Sequence, residues 1–194
     1  MTQRAEGGSA AATTTYLLID GENIDATLGT RLLGRRPEPD ERPRWDRVLK
    51  FAESTWDNPV KSMFFINASS GTMPMSFVQA LLAMGLRPIA LSGSADQKVV
   101  DIGIQRTLDA IRGTPGDVML ATHDGDFLPH VQRLLDDGHR VGLLAFPEMA
   151  NGGYSSLGDG FEIFDLEDKV GCFNQVLPRV RIIDVDDFDP AAYL

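Results

Sequence analysis

Cysteine is almost missing from this sequence, with Cys172 the only one in 194 residues. No intramolecular disulfide can form and no cysteine-rich zinc site can be built, so the reducing cytoplasm is the expected localisation. Long apolar runs are missing as well. None approaches the length of a membrane span, and no membrane partner is expected. The opening MTQRAEGGSAAA lacks the apolar core of a secretory signal and reads as a disordered lead over residues 1–14. Positive charge is scarce, since 18 Lys and Arg stand against 28 Asp and Glu for a net charge of −10. That balance argues against a protein that holds nucleic acid by bulk positive charge. No G-x-x-x-x-G-K-S/T loop occurs, no G-x-G-x-x-G follows a strand, and no Ser-His-Asp order stands out. Triphosphatase, dinucleotide and acyl-transfer readings therefore lose support.

What is present is the make-up of an ordinary soluble domain, 43% apolar and 24% charged, with a length that suits a single core. Short apolar runs alternate with longer segments of helical period, the rhythm of a doubly wound, mainly parallel α/β sheet with helices on both faces. Strands are expected near 15–20, 60–66, 86–91, 117–121, 139–145 and 161–164. Helices are expected just after Asn23 and at 43–56, 74–84, 97–112 and 126–137. Gly85, Gly113, Gly116 and Gly138 sit where helices should stop. Residues 34–43, GRRPEPDERP, read as an exposed loop, and residues 171–194 as a C-terminal extension with one strand-like patch, VRIIDV. Charge is uneven along the chain. Residues 31–50 carry seven Lys and Arg against four acids, whereas residues 161–194 carry eight acids against three bases.

Two strands end in acids: Asp20 closes TYLLID, and Asp124 and Asp126 follow DVMLA. In an open parallel sheet, ligands bind at the carboxyl ends of strands, where strand order reverses. A third source is the 97–112 helix, where Asp101 lies on the polar side beside the apolar stripe Val100, Ile104, Leu108 and Ile111. Each acid alone has a plainer reading: Asp20 as a turn residue, Asp124 and Asp126 as helix caps, Asp101 as a solvated helix face. Their coincidence in topological order favours a site. Clustered carboxylates raise one another's pKa unless a cation is present, and an all-oxygen set suits Mg²⁺ or Mn²⁺. A metal held this way polarises a phosphoryl oxygen and activates water, the chemistry of phosphodiester hydrolysis. His123 has no partner at zinc-ligand spacing and reads as loop packing or a substrate hydrogen bond.

LLIDGENI, KVVDIGIQRTLDAI, ATHDGDFLPHVQRLLDDGHRVGLLA and SSLGDGFEIFDLED, in that order, resemble the NYN domain family, relatives of the PIN-like nucleases. The resemblance covers about residues 15–168 and places the domain at 15–170. It implies strand order 3-2-1-4-5 and a metal-dependent ribonuclease, an endonuclease rather than an exonuclease, with Asp20, Asp101, Asp124 and Asp126 as catalytic and metal-binding residues. By the same match Asn23 holds a water or the scissile phosphate, or else caps the helix at Ile24. Lys98 contacts phosphate or is an exposed helix lysine. RNA is the implied partner, with self-association left open. The family pattern is broken at His123, where glycine is usual; a ring there is expected to narrow the approach to the metal. Arg35 and Arg36, in the densest basic run, are expected to guide substrate. The competing reading is a catalytically weak or inactive module of the same fold that binds RNA or a protein.

Overall fold

The computed structural model describes residues 13–181, 183 and 185–194. The expected lead at 1–14 lies almost wholly outside them, as does part of the VRIIDV patch. The chain runs β1 (Thr14–Asp20), α1 (Gly21–Thr27), α2 (Trp45–Thr55), β2 (Val60–Asn67), α3 (Met75–Ala83) and β3 (Pro88–Leu91). It continues with α4 (Val99–Ile111), β4 (Gly116–Ala121), α5 (Leu128–Asp136), β5 (Val141–Ala145) and β6 (Phe161–Asp165). All pairings are parallel, and the six strands lie in the order 3-2-1-4-5-6, which adds β6 outside β5 to the order that the family resemblance implies.

Alternation along the strands divides the core. Leu17 and Ile19 join Ile24, Trp45, Val48, Ala52 and Leu81 on one face, under α1, α2 and α3. Leu18 joins Ile104, Leu108, Val131 and Leu134 on the other, under α4 and α5. The chain therefore changes faces after β3, and β1 and β4 meet at the reversal point. Both strands are buried on both sides, which explains their continuous apolar runs. No helix among the described residues is long and apolar enough to cross a membrane.

The expected helix stops are only partly of the left-handed kind. Gly85 and Gly138 have φ of 83° and 86° and end α3 and α5. Gly116 instead opens β4, where a Cβ would run into the Tyr16 ring and the Thr14 carbonyl; close approach, not helix termination, requires glycine there. The helix expected after Asn23 starts earlier, at Gly21, because the Asp20 side chain accepts from Asn23 N–H and is itself the N-cap. It also runs on past Thr27 as a π-helical stretch, Leu28–Leu33, ended by Gly34 at φ 66°.

The first part of the C-terminal extension is built into the domain. Cys172, Phe173 and Leu177 are buried in the α2 face of the core. Arg47 donates to the carbonyls of Gly171 and Phe173, and Arg44 N–H to that of Cys172. Arg179 has no exposed side-chain surface and meets Glu148 at 2.9 Å, Glu167 at 2.7 Å and Asp165, with its guanidinium 5.0 Å from the Phe146 ring centre. One cation thus neutralises acids from β6 and two loops. Removing one partner of a buried ion cluster leaves charges uncompensated, at a cost of about 3–5 kcal/mol. Arg179→Ala is expected to lower the urea midpoint accordingly and to open residues 171–181 to limited proteolysis. Arg179→Lys should recover only part, because a point charge cannot reproduce the planar fork.

Candidate metal centre

Parallel pairing sets Ile19 opposite Ala121, so Asp20 emerges beside Thr122 at the carboxyl edge of the sheet. Asp20 is 3% exposed. One carboxylate oxygen accepts from Asn23 N–H at 3.2 Å and the other from the Thr122 hydroxyl at 3.3 Å. Burial pushes its pKa up to about 7, with Asp101 and Asp124 adding repulsion and the two hydrogen bonds opposing it.

After β4 the chain turns through Asp124, which caps a short 3₁₀ turn, Gly125–Phe127, by accepting from Asp126 N–H at 2.9 Å. The capping role and a site role coexist, since a carboxylate has two oxygens. Tyr154 fixes this turn from a distant loop, its hydroxyl donating to the Asp124 carbonyl at 2.6 Å. Asp101 reaches the same place from the first turn of α4. One carboxylate oxygen each from Asp101, Asp124 and Asp126 lies within 4.8 Å of the others. Asp20, Asn23, Lys98, Asp101 and Asp124 line one cavity of about 360 Å³. Asp20 is therefore in the site but set back into the sheet edge, while Asp101 and Asp124, half-buried, and exposed Asp126 form the outer cluster.

Lys98, an exposed side chain at the start of α4, answers this negative charge. Its ammonium lies 3.1 Å from Asp126 and 3.4 Å from Asp101. Those contacts raise the lysine pKa, Asp126 first, while burial outweighs Lys98 in raising that of Asp101. The donor set is entirely carboxylate oxygen around a space where negative charge is already unfavourable, which fits a hard divalent cation.

Three expectations read differently in three dimensions. Asn23 is not a helix cap; it lies inside α1, and its amide oxygen accepts from His123 N–H at 2.8 Å, tying α1 to the turn after β4. The His123 ring does not stand over the acids. It is 7% exposed and stacks on Phe146 at 5.3 Å, with Nε2 accepting from Phe146 N–H at 2.9 Å. Burial, then the Arg31 charge, lowers its pKa to about 3, so the ring is neutral with its proton on Nδ1, facing Asn23 Oδ1. Arg35 is already engaged, its guanidinium forking onto Glu41 at 2.6 and 2.7 Å. Arg36 is exposed and lines the grooves beside that fork.

Thr122 and Tyr154 position the acids without being among the expected site residues. Thr122 could have been found from its place between β4 and the two acids. Tyr154 carries no local signal, because its partner is 30 residues away.

Residues 14–161 match the NYN domain. No curated protein matches the chain. Among solved structures, a protein of unknown function from Vibrio parahaemolyticus superposes with a TM-score of 0.61 at 18% identity, covering 81% of this chain and 96% of that one. That similarity is one of fold.

The raised pKa of Asp20 has a sign that can be measured. Between pH 4 and 7, about the ordinary and raised values, the folded state keeps a proton that the unfolded state has lost. Stability therefore falls as pH rises through that window, by an amount of the order of 4 kcal/mol. In metal-free buffer, Asp20→Asn should melt higher than wild type at pH 8 and lose this part of the pH dependence. Superimposable melting temperatures of the two proteins from pH 4 to 8 are the contrary result.

Proposed function

Because this chain belongs to the NYN domain family, within the PIN-like nuclease superfamily, we propose that it is a metal-dependent ribonuclease that cuts phosphodiester bonds internally. The observation that carries this reading is the convergence of Asp101, Asp124 and Asp126 beside buried Asp20 at an open sheet edge. In this reading Asp101, Asp124 and Asp126 hold Mg²⁺ or Mn²⁺, with Asp20 completing the set once it loses its proton. When bound, the ion supplies positive charge that polarises a phosphoryl oxygen and acidifies water.

The chain's own residues do the rest. Thr122 and Asn23 N–H orient the Asp20 carboxylate. Asn23 has its amide oxygen committed to His123, which leaves its NH₂ to donate to a phosphoryl oxygen or a water. Lys98, 69% exposed on a flexible stem, can leave Asp101 and Asp126 for a phosphate when another cation takes those carboxylates. His123 supports the loop from beneath. Arg35 stiffens its own loop through Glu41, so we assign backbone guidance of the RNA to Arg36.

Asp124→Asn preserves shape and capping but removes a charge. Cleavage of RNA should fall by more than the roughly 10–100-fold that loss of an outer-shell partner costs. Saturating Mn²⁺ should stabilise the wild type by about 2.7 kcal/mol at 100 times its Kd, and the variant much less. A wild type with neither a metal-dependent melting shift nor cleavage would leave a binding module in place of a nuclease.

For the basic loop, Arg36→Ala should reduce the log–log salt slope of RNA binding by about 0.7, one phosphate contact. Arg35→Ala should instead lower thermal stability through the loss of the Glu41 fork, and direct phosphate contact by Arg35 would reverse that pattern.

A further inference from the structure

We propose that the cavity between Phe64, Phe77 and Arg42, walled by Glu22 and Asp25, is a guanine-binding subsite for a nucleotide beside the scissile phosphate. This deepens the ribonuclease reading and rests on it. The cavity holds about 310 Å³, within the range of small-ligand sites. Its position is the first argument. Glu22, two residues after Asp20, stands in the wall of both this cavity and the acidic one, so a strand whose phosphate lies at the acids has its neighbouring base at this opening.

The second argument is the wall chemistry. Phe77, half-buried, meets the buried Phe64 edge to face, 5.4 Å between ring centres, and offers its open surface to a base with Phe64 behind it. Gly21 permits this wall, because a Cβ there would collide with the Phe64 ring. Opposite lies an arginine with unused hydrogen-bonding capacity. Arg42 makes a long ion pair with Asp25, 3.3 Å, and its Nε is buried with no hydrogen-bond partner among the described residues.

Carboxylates beside a guanidinium distinguish the bases. Guanine alone carries two adjacent donors, N1–H and N2–H, that match one carboxylate, together with the O6 and N7 acceptors that match a guanidinium. Adenine and cytosine have a single amino group and uracil a single N–H. The groove continues past Arg42 and Phe77 to Arg36 and Arg44, cations suited to the phosphates that follow.

The test uses the full chain and fluorescence anisotropy in Ca²⁺, with decameric uridine RNAs carrying one central guanosine, adenosine or inosine. The guanosine probe should bind about tenfold tighter than the adenosine probe, with inosine between them. Arg42→Lys and Asp25→Asn should each bring that preference below about twofold. Thermal melts establish that each variant is folded, and either variant alone decides the outcome. Equal affinity of wild type for the three probes, no binding at all, or a preference that survives either substitution in a folded variant overturns the proposal. In Mn²⁺ the guanosine probe should be cut at one fixed distance from the guanosine. Cleavage indifferent to guanosine would sink the subsite and leave the nuclease; guanosine-selective binding without cleavage would do the reverse.

Discussion

The parallel pairing of β1 with β4 is the constraint on which everything else at the sheet edge depends. It brings Asp20 beside Thr122 and puts Asp124 and Asp126 directly beyond them. Because both strands are buried on both faces, the pairing is held by the bulk of the hydrophobic core, and the acids gather at the carboxyl edge.

That placement carries an electrostatic cost, and the neighbouring structure shows how it is met. Asp20 and Asp124 each spend one oxygen on capping a turn, so that backbone N–H groups answer part of their charge. Lys98 places an ammonium on Asp101 and Asp126. At the far side of β5, another cluster of acids is neutralised by Arg179, a cation with no exposed side-chain surface. The two clusters differ in kind. A guanidinium wholly enclosed by its partners locks the C-terminal segment to the domain, whereas an exposed ammonium at the sheet edge is free to exchange with another cation.

Much of the fold was legible because its elements are strongly patterned. The apolar runs of β1, β4 and β5 and the stripe of Val100, Ile104, Leu108 and Ile111 each point to one structure, and Asp101 follows from the stripe by helical geometry. The less legible residues are those whose role depends on which of several partners they take. Asn23 looks like a helix cap until the Asp20 side chain is seen to take that place. His123 looks like an obstacle to the metal until its ring is found under the loop, bonded to Phe146. Arg35 reads as a free cation because Glu41, six residues on, is one of several acids that could have claimed it.

By itself the sequence determined which residues could do chemistry: acids at strand ends, an acid on a helix face, a basic loop, and no thiol pair or phosphate loop to support another reaction. Alternation and helical period are local properties, and they are written residue by residue. Only the tertiary structure decided how those groups share their charge. Whether Asp20 is buried, whether Lys98 turns toward the acids, and whether Arg179 is enclosed depend on segments brought together across the chain, and pKa values and ion pairs are set by distance and dielectric in space rather than by order along the backbone.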